Sequence, residues 1–198
     1  MSARIDHLVV AAAGLDEGAA WCVATLGVVP GPVGEHPLMG THNRVLRIAT
    51  VDHPRAYLEI IAVQPGRAAQ RPRRWFDLDA EAVRDTLAHS GPRLLHFVAN
   101  VPDLRQALAA LRGLQIDRGE AVAASRMTPR GLLEWQMSIR EDGQRLFDGT
   151  LPTLIQWGAT HPASAMPESG VTLKEGAARL CAVLDTPRGR VKLDSAGL

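Results

Sequence analysis

Two histidines, His7 and His96, stand 89 residues apart in matching surroundings, each on a short apolar run that leads into an amphipathic helix. Aligned without a gap, His7-Leu8-Val9-Val10 lies over His96-Phe97-Val98-Ala99, and Leu15 lies over Leu104. An imidazole at the centre of an apolar strand calls for a partner, because burying a polar group without a hydrogen bond or a metal costs about 1–3 kcal/mol. A later apolar run in each half is interrupted in a matching way, by Glu59 in Tyr57-Leu58-Glu59-Ile60-Ile61 and by Gln156 in Leu154-Ile155-Gln156-Trp157. Two imidazoles and a carboxylate make a competent site for Zn, Fe, Ni, Co or Mn and leave positions open for water or a bidentate substrate. His7, Glu59 and His96 are therefore the candidate metal ligands, with the neutral Gln156 oxygen a weak fourth.

Around them lie candidate substrate-binding residues. His42 and Asn43 fall at a loop-to-strand junction, where turn capping is the alternative. In residues 132–140, Glu134 and Gln136 share a polar face with Ser138 and Arg140, available to a cavity or to solvent. Plainer readings stay open for the ligand set as well: a backbone hydrogen bond for His7, an ion pair with Arg47 for Glu59, amide hydrogen bonding for Gln156. Arg67, Arg71, Arg73 and Arg74 with Trp75-Phe76 read as a solvated interdomain loop or as a lid attracting an anion. His36, His53, His89 and His161 fall on loops or helix ends and are assigned no chemistry.

The elements that must position these side chains can be read from periodicity. Strict alternation over residues 5–11 puts Ile5, His7 and Val9 on one face and Leu8 and Val10 on the other. Ala19, Cys22, Val23 and Leu26 make an apolar helical stripe that Gly27 ends. Strand-like runs follow at 43–50 and 57–63, with a third strand in the Pro- and Gly-rich loop before them. The second half repeats the order: a strand at 94–99, a helix with Leu104, Leu108 and Leu111, and strands near 119–125, 132–140 and 153–157. The chain thus divides into a βαβββ module over 4–63, a linker with a short helix over 64–92, a second βαβββ module over 93–158, and an extension over 159–198. In that extension, runs at 178–185 and 190–193 flank Thr186-Pro187-Arg188-Gly189 as a hairpin.

Composition narrows the class. With 22 basic and 21 acidic residues the net charge is +1, too small for a dedicated nucleic-acid binder. No run approaches the ~18 apolar residues that span a bilayer, and Met1 to Arg4 lack the apolar core of a secretory signal, so a cytoplasmic protein with no membrane partner is expected. Cys22 and Cys181 lack metal or redox spacing and read as structural thiols.

The segments Ile5-Asp6-His7-Leu8, Tyr57-Leu58-Glu59-Ile60, Leu95-His96-Phe97-Val98 and Leu154-Ile155-Gln156-Trp157 resemble the four metal-bearing strands of the vicinal oxygen chelate superfamily, in its glyoxalase-like domain branch. Gly40-Thr41-His42-Asn43 and Arg74-Trp75-Phe76 are also similar to that branch. The resemblance implies an α+β fold in which the paired modules form a half-open mixed barrel around a divalent metal held by His7, Glu59, His96 and Gln156. It implies a lyase or isomerase acting on a small substrate with two neighbouring oxygens, in a chain compatible with a homodimer. Gln156 stands where glyoxalase I carries a proton-shuttling Glu, and an amide cannot abstract a proton, so hemithioacetal isomerisation is not the expected reaction. A metal-free, drug-sequestering binding protein and an Fe(II) extradiol-type dioxygenase are the competing readings, and the general base has no assigned residue.

Overall fold

The computed structural model describes residues 3–177 and 181–195. The first half contains β1 (Arg4–Ala11), α1 (Leu15–Leu26), β2 (Gly34–His36), β3 (Thr41–Arg47) and β4 (Tyr57–Val63), followed by α2 (Glu81–Ser90). The second contains β5 (Arg93–Asn100), α3 (Leu104–Gly113), β6 (Glu120–Thr128), β7 (Gly131–Ile139) and β8 (Thr153–Trp157). A 3-10 turn (Pro162–Ala165) leads to β9 (Thr172–Ala177), β10 (Cys181–Thr186) and β11 (Gly189–Asp194). The expected terminal hairpin is present as β10 and β11, and β9 adds a third strand. Residues 178–180, the start of the expected hairpin, lie outside the described residues.

Eight strands form one curled half-barrel sheet in the order β2-β3-β4-β1-β5-β8-β7-β6. Each half contributes four neighbouring strands, and the halves join where β1 runs antiparallel to β5. β1 pairs in parallel with β4, and β5 with β8, so each half needs a crossover, which α1 and α3 supply. Among the described residues no helix is long and apolar enough to cross a membrane.

Alternation fails at two places along the β1–β5 seam. Ile5 pairs with Ala99 and His7 with Val98, leaving Asp6 as an extra residue; Val9 pairs with His96 and Val10 with Leu94, leaving Leu95 extra. The bulges turn Ile5 to the outer face with Leu8 and Val10, correcting the strict alternation read from sequence, and admit Asp6 to the inner face beside His7. Asp6 and Leu95 each precede one of the matching histidines, so the bulge itself obeys the repeat.

The outer face of the first half packs Leu8, Val10, Leu58 and Ile60 against α1 and against Leu184 and Leu193 of the C-terminal sheet. Gly18, not the expected Ala19, faces the sheet, because a Cβ there would collide with Ile60 Cγ2. The outer face of the second half packs Ala99 and Leu154 against Leu104 and Leu108 of α3.

The inner face is filled by the segment between the halves. Trp75 and Phe76 are buried and stacked at 5.3 Å, packed with Val9, Val98, Met137 and Ile155. This replaces the solvated loop expected for Arg74-Trp75-Phe76. The chain turns inward there through left-handed backbone at Phe76 (φ 61°) and Asp77 (φ 58°), a conformation that costs non-glycine residues of order 1–3 kcal/mol. Asp77 is held by Arg145 Nε at 2.9 Å, and Arg74 by Asp79 at 2.6 Å. Phe76→Ala should therefore lower the unfolding free energy by about 3–5 kcal/mol, read from urea denaturation. A loss under about 1 kcal/mol would mean that the ring does not hold the inner core.

Candidate functional site

The inner bulge brings Asp6 to the centre of a buried polar chain. Its Oδ1 accepts from His7 Nδ1 at 2.7 Å, while Oδ2 accepts from Trp157 Nε1 at 2.9 Å and from His161 Nε2 at 2.9 Å. Burial pushes the Asp6 carboxyl up, but hydrogen bonds and charge from His161 and His7 outweigh it and hold the group well below the usual carboxylate range. Ala163 N–H donates to His161 Nδ1, so the His161 proton sits on Nε2, aimed at Asp6.

With Nδ1 donating to Asp6, His7 turns Nε2 toward the cleft, 3.5 Å from Glu59 Oε2. Glu59 Oε1 accepts from Asn43 Nδ2 at 2.6 Å, and the same amide donates to His36 Nε2 at 3.3 Å. His36 Nδ1 then donates to Thr41 Oγ1 at 3.1 Å, and its ring meets Trp75 edge-on. Burial carries the His36 pKa down to about 4, against the pull of Glu59 and with help from Arg126. Tyr57 stacks on His7 with ring centroids 4.5 Å apart. Burial, then the charges of Asp6 and Glu59, push its phenol well above its ordinary pKa and keep it neutral.

These groups open into a narrow cleft walled by Trp75, Phe76, Trp135, Met137, Ile155 and Trp157. His7, Glu59 and Asn43 are thus brought together at this cleft. Asp6, His36, Tyr57 and His161 join them from positions that carried no readable signal: Asp6 through the bulge, His36 from the end of the edge strand β2, correcting its expected place on a loop, and His161 from the segment that leads into the 3-10 turn.

His96 lies on the same face but outside this cleft. Its Nε2 accepts from Thr153 N–H at 3.1 Å, faces Thr153 Oγ1 at 3.0 Å and has the Arg118 guanidinium 3.5 Å away, while Phe76 packs over the ring. Burial, then the charges of Arg118 and Arg145, lower the His96 pKa well below its ordinary value, so the ring is neutral with its proton on Nδ1. Arg118 is itself buried, donates to Pro152 O at 2.8 Å and contacts Thr153 Oγ1; burial and Arg140 bring its pKa down to about 10.

Gln156 lies between Ile155 and Trp157, which face the cleft, and therefore points the other way. Its Oε1 accepts from Leu104 N–H at 2.9 Å, where it caps α3 together with Asp103. The same alternation puts Leu133, Trp135 and Met137 on the cleft wall and turns Glu134 and Gln136 outward, and it turns His42 away from Asn43.

The four-residue ligand set is consequently not gathered. An imidazole nitrogen that already accepts an amide proton, with a guanidinium beside it, has no lone pair for a cation, and the Gln156 amide is across the sheet. Among the described residues no group of three His, Cys, Asp or Glu side chains converges to hold an ion. The residues present do not fit a divalent metal bound as the repeat implied, nor the two-histidine, one-carboxylate face of an extradiol iron site.

Residues 5–182 match the protein family described as "Glyoxalase-like domain". Among solved structures, a hypothetical protein from Staphylococcus aureus is similar over 98% of this chain and 87% of its own, at 13% identity and TM-score 0.57. A Streptomyces coelicolor methylmalonyl-CoA epimerase in complex with 2-nitronate-propionyl-CoA aligns over 80% of this chain and 96% of its own, at 19% identity and TM-score 0.48. The methylmalonyl-CoA epimerase of Mycobacterium tuberculosis aligns over 81% and 91%, at 16% identity and TM-score 0.44. A search of curated proteins finds no significant match.

Two outcomes check these placements. Gln156→Ala should cost about 1 kcal/mol of stability through the lost cap and leave ligand binding in the cleft unchanged. Acidification should destabilise the fold: an unfolded histidine takes up a proton near pH 6.5 that His36 refuses until about 4. His36 stability is therefore intact above pH 6.5 and is lost progressively below it, by up to about 3 kcal/mol at pH 4, with His96 acting in the same direction. Urea titrations at pH 7, 5.5 and 4.5 read the decline, and His36→Gln should flatten it; an unchanged slope in that variant would remove His36 from the account.

Proposed function

The chain belongs to the glyoxalase-like domain family of the vicinal oxygen chelate superfamily, and from that premise we propose that it is an enzyme of the lyase or isomerase kind that moves a proton at a carbon next to a carbonyl, using His7 and Glu59. The observation that carries this reading is the buried chain Asp6–His7–Glu59 opening into an apolar cleft. Burying two carboxylates and an imidazole costs stability that apolar packing would not, and such an arrangement is typical of an acid–base centre.

Asp6 fixes the His7 tautomer, so Nε2 presents its lone pair to a substrate C–H. When His7 takes that proton, the imidazolium lies between two carboxylate groups, Asp6 at Nδ1 and Glu59 at 3.5 Å from Nε2. The aromatic walls exclude water and strengthen both interactions. Asn43 holds Glu59 in place through Oε1 and leaves Oε2 facing His7. The proton then returns from Nε2 to a second substrate atom, so the reaction is balanced within the substrate. The divalent-metal dependence expected from the ligand repeat is not needed for any of these steps. A binding protein without turnover is the second reading, favoured by the dense aromatic wall.

Exchange of the C–H protons of phenylpyruvate and phenylacetone in D2O, followed by proton NMR, tests the reading. Wild type should accelerate exchange for at least one of them, His7→Gln should lose at least ~100-fold and Glu59→Gln at least ~10-fold. His96→Gln and dialysis against a chelator should change the rate less than about 2-fold. Exchange no faster than in buffer, for both compounds, would overturn the catalytic reading and leave ligand binding.

A further inference from the structure

Arg126, on β6, belongs to one edge of the half-barrel, and β2 is the other edge. No ladder joins these two strands, yet the Arg126 guanidinium reaches across the open seam: a Cβ at Gly34 of β2 would collide with Arg126 Nη1 and with Asn43 Oδ1. The absence of a side chain at Gly34 is what lets the guanidinium lie there. Arg126 is half-buried at the mouth of the cleft that holds His7 and Glu59, and among the described residues no carboxylate pairs with it.

Glu59 would be the natural partner, and Asn43 keeps them apart. The Asn43 amide gives its N–H to Glu59 Oε1, and its Oδ1 and Arg126 Nη1 both border the space at Gly34, so the amide stands on the side from which the guanidinium approaches. That leaves a partly desolvated guanidinium with donors uncommitted, a planar fork whose geometry matches a carboxylate. Its positive charge is felt inside the cleft, where it helps to depress the His36 pKa.

We propose that Arg126 is the specificity-determining residue of the cleft and that the ligand is a small carboxylate with a flat apolar body, the carboxylate held by Arg126 and the body against the wall of Trp135, Trp157 and Met137. This rests on the cleft being the site proposed above, and it extends that reading from any carbonyl compound to a carboxylate-bearing one. Lysine in place of Arg126 keeps the charge but loses the fork; glutamine loses both.

The experiment is titration of intrinsic tryptophan fluorescence of the full chain with phenylacetate and with its neutral analogue phenylacetamide, which need no turnover. Wild type should bind phenylacetate at least ~10-fold more tightly than phenylacetamide, with the preference shrinking as salt rises. Arg126→Gln should abolish the preference and leave phenylacetamide affinity within ~2-fold, which also shows that the cleft is intact; Arg126→Lys should retain part of it. The titration reads binding alone, so the inference survives or fails independently of proton exchange. Equal affinity for the two compounds in wild type, a preference that persists in Arg126→Gln, or no saturable quenching by phenylacetate would each overturn it.

Discussion

The Asp6 carboxylate is the constraint on which the rest of the site depends. It accepts from His7 in the first half, from Trp157 at the end of the second half and from His161 beyond it, so one buried anion ties three parts of the chain together. A carboxylate in an apolar interior is tolerable only when its lone pairs are filled by well-aligned donors. Each donor is in turn fixed by that need: the His7 tautomer, the Trp157 ring and the fold of the 3-10 turn that follows His161. Replacing this anion with an apolar side chain would remove the polarisation of His7 as well as the tie.

The two halves carry equivalent strands, and a difference at one equivalent position sets their histidines apart. The bulge that precedes His7 holds Asp6, and the equivalent bulge before His96 holds Leu95. His7 therefore has an acid behind it and a cleft in front. His96 has neither, and is stabilised as a neutral acceptor by Thr153 beside the buried Arg118, with Phe76 sealing the space. The inter-module segment completes the asymmetry: Trp75 borders the first histidine's cleft and Phe76 covers the second histidine.

Sheet curvature then decides who meets whom across the opening. β2 and β6 stay unpaired as strands, yet the curl brings Gly34 within reach of Arg126. Asn43 sits where it can separate that cation from Glu59, so the site holds a cation and an anion that do not neutralise each other. Keeping opposite charges apart in a low-dielectric cleft is costly, and that cost is what a ligand of matching charge relieves.

The sequence by itself determined the repeat, the order of elements in each half, and the pairing of His7 with Glu59. These follow from local periodicity and from polar residues interrupting apolar runs, which a linear reading captures. Asn43 was legible as a neighbour of the site, although the same reading could not separate it from His42, which alternation turns away. Only the tertiary structure decided that His96 and Gln156 serve packing and capping, that Leu133, Trp135 and Met137, not Glu134 and Gln136, line the cleft, that His36 and Arg126 line it too, and that Asp6 and His161 stand behind His7. The physical reasons are several: alternation does not say which face of a strand turns inward, and the curl of the sheet brings distant strands such as β2 and β6 together. A single-residue bulge reverses which face a strand presents, and loops deliver side chains according to where they pack; neither leaves a mark in the spacing of the residues.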